Sequence, residues 1–316
     1  MNFFRKAPSQ EPIAVVIMCE PGVYEWMTLL LVSSLRHFVQ DEISIYAYCR
    51  RSLSAQLLET TKQFLQSNGV ILDYIDPTYR VNYPHGNKVF ACAMRRKEKK
   101  TVFVDTDTMV VNNFALKDGF VTGSISGRRT GPDMWGKTVE EWDLAYKAAN
   151  VEMGSQRIEK HVDGGKVMVP PSFNAGVVFF EGEAFAEKWL DVTRQINACQ
   201  SVPDIFPFLD QIALPIAAKS INLKLNFLSE KWNTGPATYE KDGGGTNIYH
   251  YHFVKKIYET SALKIADLVV PKFTQFESFR DMHDFYENSG NKPDTVRGSP
   301  GYVRPPKLEK LRQEKG

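Results

Sequence analysis

Two hydrophobic patterns alternate through the first hundred residues. Residues 14–19 (AVVIMC) form a continuous apolar run, the pattern of a strand covered on both faces. Pro21 and Gly22 break it. Met27, Leu30, Leu31, Ser34, Leu35 and Phe38 then recur at spacings of three and four, which predicts an amphipathic helix. Residues 43–48 predict a second strand. Ser54 reads as the N-cap of a helix carrying Leu57, Leu58, Thr61, Phe64 and Leu65, with Gly69 near its end. Residues 70–75 predict a third strand and residues 88–96 a helix. A fourth strand at 101–104 (TVFV) runs straight into Asp105-Thr106-Asp107. Strands alternating with helices through short links predict an α/β fold with a mostly parallel central sheet flanked by helices.

The later pattern is less regular. Residues 116–170 are rich in Gly, Pro and charge, with one helix predicted at 139–149 bearing Trp142 and Tyr146. A buried strand at 177–180 precedes a helix with Phe185, Trp189, Val192 and Ile196 on one face. Another helix covers 208–218, which Pro215 must kink or end. Strands are expected at 221–225 and at 247–253, the second after Gly243-Gly244-Gly245. From about Asn288 the chain is polar, so an exposed or disordered tail is expected. The boundaries drawn from this pattern are 13–115, 116–284 and a tail at 285–316.

Composition narrows the class. A chain of 316 residues makes two domains or one large α/β unit, and 43% hydrophobic with 24% charged residues excludes disordered and collagenous chains. A net charge of +2 gives no global field for nucleic acid or an acidic membrane. The basic run at 95–100 reads as a solvated helix end, because no aromatic residues interleave with it to stack on bases. The first apolar run is too short to span a bilayer and lacks the flanks of a signal peptide. Cys19, Cys49, Cys92 and Cys199 are widely spaced without a CxxC, so neither a zinc site nor a disulfide framework is expected. A reducing, cytoplasmic setting fits that usage.

Chemistry concentrates at residues 102–111 (VFVDTDTMVV). Asp105 and Asp107 stand at the carboxyl end of an apolar strand, where open α/β sheets bind ligands. Carboxylates this close repel one another unless a cation neutralises them. Mn2+ or Mg2+ shared with substrate phosphates supplies that neutralisation. The structural alternative is a turn whose acids cap a helix. Haloacid-dehalogenase-type phosphatases also carry D-x-D, but on the first strand and with Thr or Val where this chain has Met109. Nucleotidyltransferases usually open with a Gly-rich loop and a basic residue, whereas residues 19–24 (CEPGVY) hold one Gly and no cation. No Walker A pattern occurs.

Three further segments follow in order: residues 172–178 (SFNAGVV), 208–214 (FLDQIAL) and 248–251 (IYHY), with Lys256 six residues beyond His250. Together with the DTD they resemble the GT-A fold glycosyltransferases, closest to the glycogenin-like and lipopolysaccharide galactosyltransferase-like group called family 8. The resemblance implies a metal-dependent transfer of a hexose from a nucleotide diphosphate sugar, UDP-linked, to an acceptor hydroxyl with retention. It makes 13–115 the donor half and 116–284 the acceptor half. It implies Asp105, Asp107 and His250 as metal ligands, with His252 as the alternative imidazole. Lys256 and Lys88 would then contact the donor diphosphate, and Tyr24 would stack on the nucleobase. Asn174, Asp210 and Gln211 would face the transferred sugar. Two departures stand out: Phe253 occupies the Gly of the last motif, and Ile257-Tyr258 its Pro-Trp. Each of these residues also has a structural reading: a solvated lysine, a packed tyrosine, a strand-end asparagine, a core histidine. A degenerate nucleotide-sugar binding module is the remaining alternative.

Overall fold

Both faces of β1 (Ile13–Met18) are buried, with Val15 and Ile17 in one hydrophobic cluster and Ala14 and Val16 in the other. This is why the strand carries no alternation: a helical layer lies on each side of it. The computed structural model describes residues 11–130, 135–162, 165–242 and 245–289. The chain continues through α1 (Val23–Phe38), β2 (Ile43–Arg50), α2 (Glu59–Ser67), β3 (Val70–Ile75), α3 (Asn87–Ala93), β4 (Lys100–Val104) and β5 (Thr108–Val110). It goes on with β6 (Ser124–Arg129), α4 (Val139–Ala148), β7 (Ile158–Val162), β8 (Gly165–Val169), β9 (Phe173–Glu181), α5 (Glu183–Ala198), α6 (Leu209–Ser220) and β10 (Lys224–Leu228). It closes with α7 (Pro236–Asp242), β11 (Ile248–His250), α8 (Val254–Tyr258), α9 (Ala262–Phe273) and α10 (Phe279–Asn288).

The main sheet has the order β10-β6-β9-β4-β1-β2-β3. Its pairs are parallel except those made by β9, which runs antiparallel to both β4 and β6. The α/β class and the mostly parallel sheet are as the sequence pattern predicts. The expected halves 13–115 and 116–284 nevertheless share this one sheet, because β6, β9 and β10 extend it. Helices α1, α9 and α10 contribute to the cluster on one face, and α3, α4, α5 and α6 to that on the other. Each fully buried Val, Ile, Leu or Phe there contributes roughly 1.5–3 kcal/mol. Among the described residues no helix is long and apolar enough to cross a membrane.

Several expected elements are corrected. Ser54 lies in a 3-10 turn (Arg51–Gln56), and α2 begins only at Glu59. Its cap comes from elsewhere: the buried Glu25 carboxylate accepts from Leu58 N–H at 2.9 Å and Thr61 Oγ1 at 2.6 Å. Helix α3 stops at Ala93, and Arg96 caps it by donating to the carbonyls of Ala91 and Cys92. Helix α6 runs through Pro215 to Ser220, forgoing only the bond to the Gln211 carbonyl. The strand expected at 221–225 is shifted to Lys224–Leu228, because Asn222 turns the chain at φ 60°. The strand expected at 247–253 ends at His250, and His252 adopts φ 57°. Helix α10 carries folded chain past the boundary at 285, and Tyr286 Oη meets Thr61 Oγ1 at 2.9 Å. The remainder of the expected tail, from 290, lies outside the described residues.

Candidate active site

The site begins where β4 ends. Because β9 runs antiparallel beside it, the start of one strand meets the end of the other, and Asp105 N–H donates to the Gly176 carbonyl at 2.7 Å. Thr106 Oγ1 donates to the Met18 carbonyl at 2.7 Å, tying the DTD turn to β1. Thr108 Oγ1 donates to the Asp105 carbonyl at 2.7 Å and closes the turn. The chain then enters β5, which pairs antiparallel with β11 and sets Thr108 opposite His250. Tyr251 N–H donates to the Asp107 carbonyl at 3.1 Å, extending that pairing by one bond. Residues distant in sequence thus converge on one crevice at the carboxyl end of the parallel strands.

One side of the crevice is built on a lysine. Lys88, on the first turns of α3, reaches Asp105 Oδ1 at 2.7 Å and Asp210 Oδ2 at 3.2 Å. Asp210 is buried at the start of α6 and accepts from Tyr83 Oη at 2.6 Å. Burial alone would lower the Lys88 pKa, but the two carboxylates outweigh it and raise it. Asp105 is nevertheless raised, since burial and its neighbour Asp107 outweigh Lys88.

The other side is built on imidazoles. His250 Nε2 lies 3.0 Å from Asp107 Oδ1, and His252 Nδ1 lies 3.6 Å from Oδ2. Burial would raise Asp107, but His250 and then His252 outweigh it and hold the carboxyl well below the usual range. His250 is raised in turn, because Asp107 outweighs burial. Among the described residues, Asp107, His250 and His252 each offer a ligand atom within 4.8 Å of the others. Asp105 stands outside that trio, held by Lys88. The histidines are not one pleat apart on a strand, yet the left-handed turn at His252 brings it back to the same carboxylate.

Asn174 is the second residue of β9, and its Oδ1 accepts from Gly176 N–H at 2.9 Å and from Asn233 Nδ2 at 2.8 Å. Asn233 Oδ1 lies 3.0 Å from His250 Nδ1. Gly176 has no room for a side chain: a Cβ would sit 2.8 Å from both Asn174 Oδ1 and His250 Cε1. Tyr24 is half-buried at the start of α1, its pKa raised by burial and then by Glu20, Asp107 and Asp105. Gln211 turns aside, into a small void lined by Thr130, Trp135, Trp142 and Ser172, and its buried Oε1 has no partner among the described residues. Lys256 is not brought to the cluster; it pairs with Glu240 and Glu259, each at 3.4 Å. Two contributors escaped the sequence reading, Tyr83 and Asn233. Neither sits in a hydrophobic pattern or a spacing that marks it out.

Among solved structures, the bifunctional glycosyltransferase WbbM aligns over 94% of this chain at 15% identity and a TM-score of 0.46. This chain spans about half of that protein, 52%. Mouse xyloside xylosyltransferase 1 aligns over 76% of this chain and 97% of its own, at 14% identity and 0.45. The galactosyltransferase LgtC, solved with donor and acceptor sugar analogs, aligns over 90% of this chain and 99% of its own, at 12% identity and 0.49. A search of curated proteins found no match. The Rhodobacterales glycosyltransferase domain matches residues 15–222, which run from β1 through β4, the DTD turn, β9 and α6. The chain belongs to that glycosyltransferase family.

Proposed function

We propose that this glycosyltransferase moves a hexose from a nucleotide diphosphate sugar, UDP-linked, to an acceptor hydroxyl with retention, using Mn2+ or Mg2+. The observation that carries the reading is the meeting of Asp107 with His250 and His252 beside the Asp105–Lys88–Asp210 network. The donor set fits such an ion: a carboxylate and two imidazole nitrogens, with Asp105 two residues away, suit Mn2+ better than Mg2+. Asp107, His250 and Asp105 would hold it, with His252 in reach. When bound, the ion would offset the charge gathering on the departing diphosphate.

The chain's own groups divide the remaining work. Lys88 keeps Asp105 and Asp210 side by side where the two acids would otherwise repel. Asp210, steadied by Tyr83, is the carboxylate that offsets positive charge at the anomeric carbon. Asn174 has committed its oxygen, so its Nδ2 is the group it offers to a sugar hydroxyl. Gln211 faces a small void that none of Asp105, Asp107 or Asp210 lines, so it would meet the transferred sugar only by changing its rotamer. Tyr24 offers its ring to the nucleobase. Lys256 would contact the diphosphate only by exchanging Glu240 and Glu259 for phosphate oxygens. Free cysteines at 19, 49, 92 and 199 support the cytoplasmic setting. Family membership favours this reading over the phosphatase and nucleotidyltransferase alternatives for the DTD.

The test is nucleotide release from a panel of UDP-, GDP- and CMP-sugars with Mn2+, Mg2+ or EDTA. Metal-dependent release from UDP-sugars is expected. Binding without release favours a nucleotide-sugar binding module, and no response to any donor overturns the reading.

A further inference from the structure

We propose that Asn233 is a positioning residue that fixes the His250 ring, with Nδ1–H turned to Asn233 and Nε2 turned to Asp107. A single backbone N–H sets this orientation. Gly176 N–H can only donate, so the Asn174 atom it meets at 2.9 Å is the oxygen. The Asn233 atom 2.8 Å from that oxygen must therefore be its amide nitrogen. The other end of Asn233 is then an oxygen, which can only accept, so His250 Nδ1, 3.0 Å away, carries a hydrogen. Nε2 is left as the ring atom facing Asp107 at 3.0 Å.

Two further observations lock the relay. Asn233 is 1% exposed, so water cannot replace a lost partner. Gly176 leaves room for the Asn174 amide and the His250 ring to close on one backbone position, since a Cβ would meet both at 2.8 Å. The same relay commits Asn174 Oδ1, so the groups presented to a sugar hydroxyl and to a metal ion are oriented by one hydrogen-bond chain. Outer partners of this kind hold a ligand's tautomer and ring orientation, and their loss typically weakens metal affinity by about 10–100-fold. The consequence for metal affinity rests on the metal reading above; the relay itself does not.

The experiment combines 15N NMR of His250 in the metal-free full-length protein with Mn2+ titration followed by electron paramagnetic resonance. Wild type is expected to show a hydrogen-bonded, slowly exchanging proton on Nδ1. Asn233→Ala should lose that resonance and weaken Mn2+ binding about 10–100-fold. Asn233→Asp keeps an oxygen towards Nδ1 but loses the donor to Asn174 Oδ1, so it should retain the resonance while releasing Asn174, which separates positioning of the ring from general packing. Should the alanine variant fail to fold, the wild-type and aspartate spectra decide. A wild-type Nδ1 without a proton overturns the proposal. So does a folded Asn233→Ala protein that keeps both the resonance and wild-type Mn2+ affinity. A wild type with the protected Nδ1 proton and no Mn2+ affinity contradicts the metal reading and leaves the relay standing.

Discussion

Asp105 and Asp107 stand two residues apart, yet the two sides of the crevice treat them in opposite ways. On the α3–α6 side, Asp105 meets a lysine that also holds Asp210, and its pKa is raised. On the β5–β11 side, Asp107 meets two histidines, and its pKa is lowered well below the usual range. Burial and the neighbouring Asp107 outweigh Lys88 at Asp105, whereas the imidazoles outweigh burial at Asp107, and the two sides also differ in the kind of cation. Lys88, itself raised, keeps its proton across the physiological range and acts as a permanent tie between two acids. An imidazole near neutrality can surrender its proton and become a metal ligand. One side therefore holds its two acids on a fixed cation, and the other is where an exchangeable cation belongs.

Removing the permanent cation is expected to have the largest effect. Lys88→Ala leaves two buried carboxylates uncompensated and should lower unfolding free energy by about 3–5 kcal/mol, read from denaturant melts. A loss below about 1 kcal/mol would mean that the tie is no more than a surface-like ion pair. Next comes Asp107→Asn, which should leave the fold intact and reduce donor turnover on the order of 10²–10³-fold, as loss of one transition-state stabilising group does. Near wild-type turnover would move the metal away from the imidazole side.

The third effect is pH dependence. His250 titrates above the usual 6.5. A metal ion needs the neutral ring, so Mn2+ affinity should climb up to about tenfold per pH unit below that raised value and level off above it. Stability of the metal-free protein should run the other way. The His250 contribution is full below about 6.5 and is lost as pH rises through the raised folded value. Calorimetric melts and Mn2+ titrations across that window check both signs. The smallest effect expected is that of His252→Ala, because His252 is more exposed than His250 and lies farther from Asp107. It should weaken Mn2+ binding less than His250→Ala does; the reverse order would make His252 the principal ligand.

Sequence patterning made the sheet legible where burial is two-sided. Residues 14–19, 43–48, 70–75 and 101–104 read as strands and β1 to β4 form there, the clearest pattern being that of β1, buried on both faces, and the weakest that of the half-open edge strand β3. It failed where a side chain outside the hydrophobic pattern sets a helix end. Glu25 starts α2 from another helix, and Arg96 ends α3 from beyond it. The DTD turn was legible because two acids after an apolar strand demand a cation. That this demand is met differently for each acid was not: Lys88 and Tyr83 meet Asp210 only when α3 and its preceding turn pack against α6, and Asn233 meets His250 only when its turn bonds to β11. The register of β11 mattered most: an unbroken strand would have set His252 one pleat beyond His250, whereas the turn returns it to Asp107.

The central claim, that a nucleotide sugar binds through a metal on the imidazole side, is tested most directly by a melting matrix. The protein is melted alone, with Mn2+, with UDP-sugar, with both, and with both plus EDTA. Ligand at a hundredfold excess over its dissociation constant stabilises the native state by about 2.7 kcal/mol. The account predicts a stabilisation of that order for UDP-sugar with Mn2+, absent without the metal and reversed by EDTA. Equal stabilisation by UDP-sugar with and without Mn2+ would contradict it.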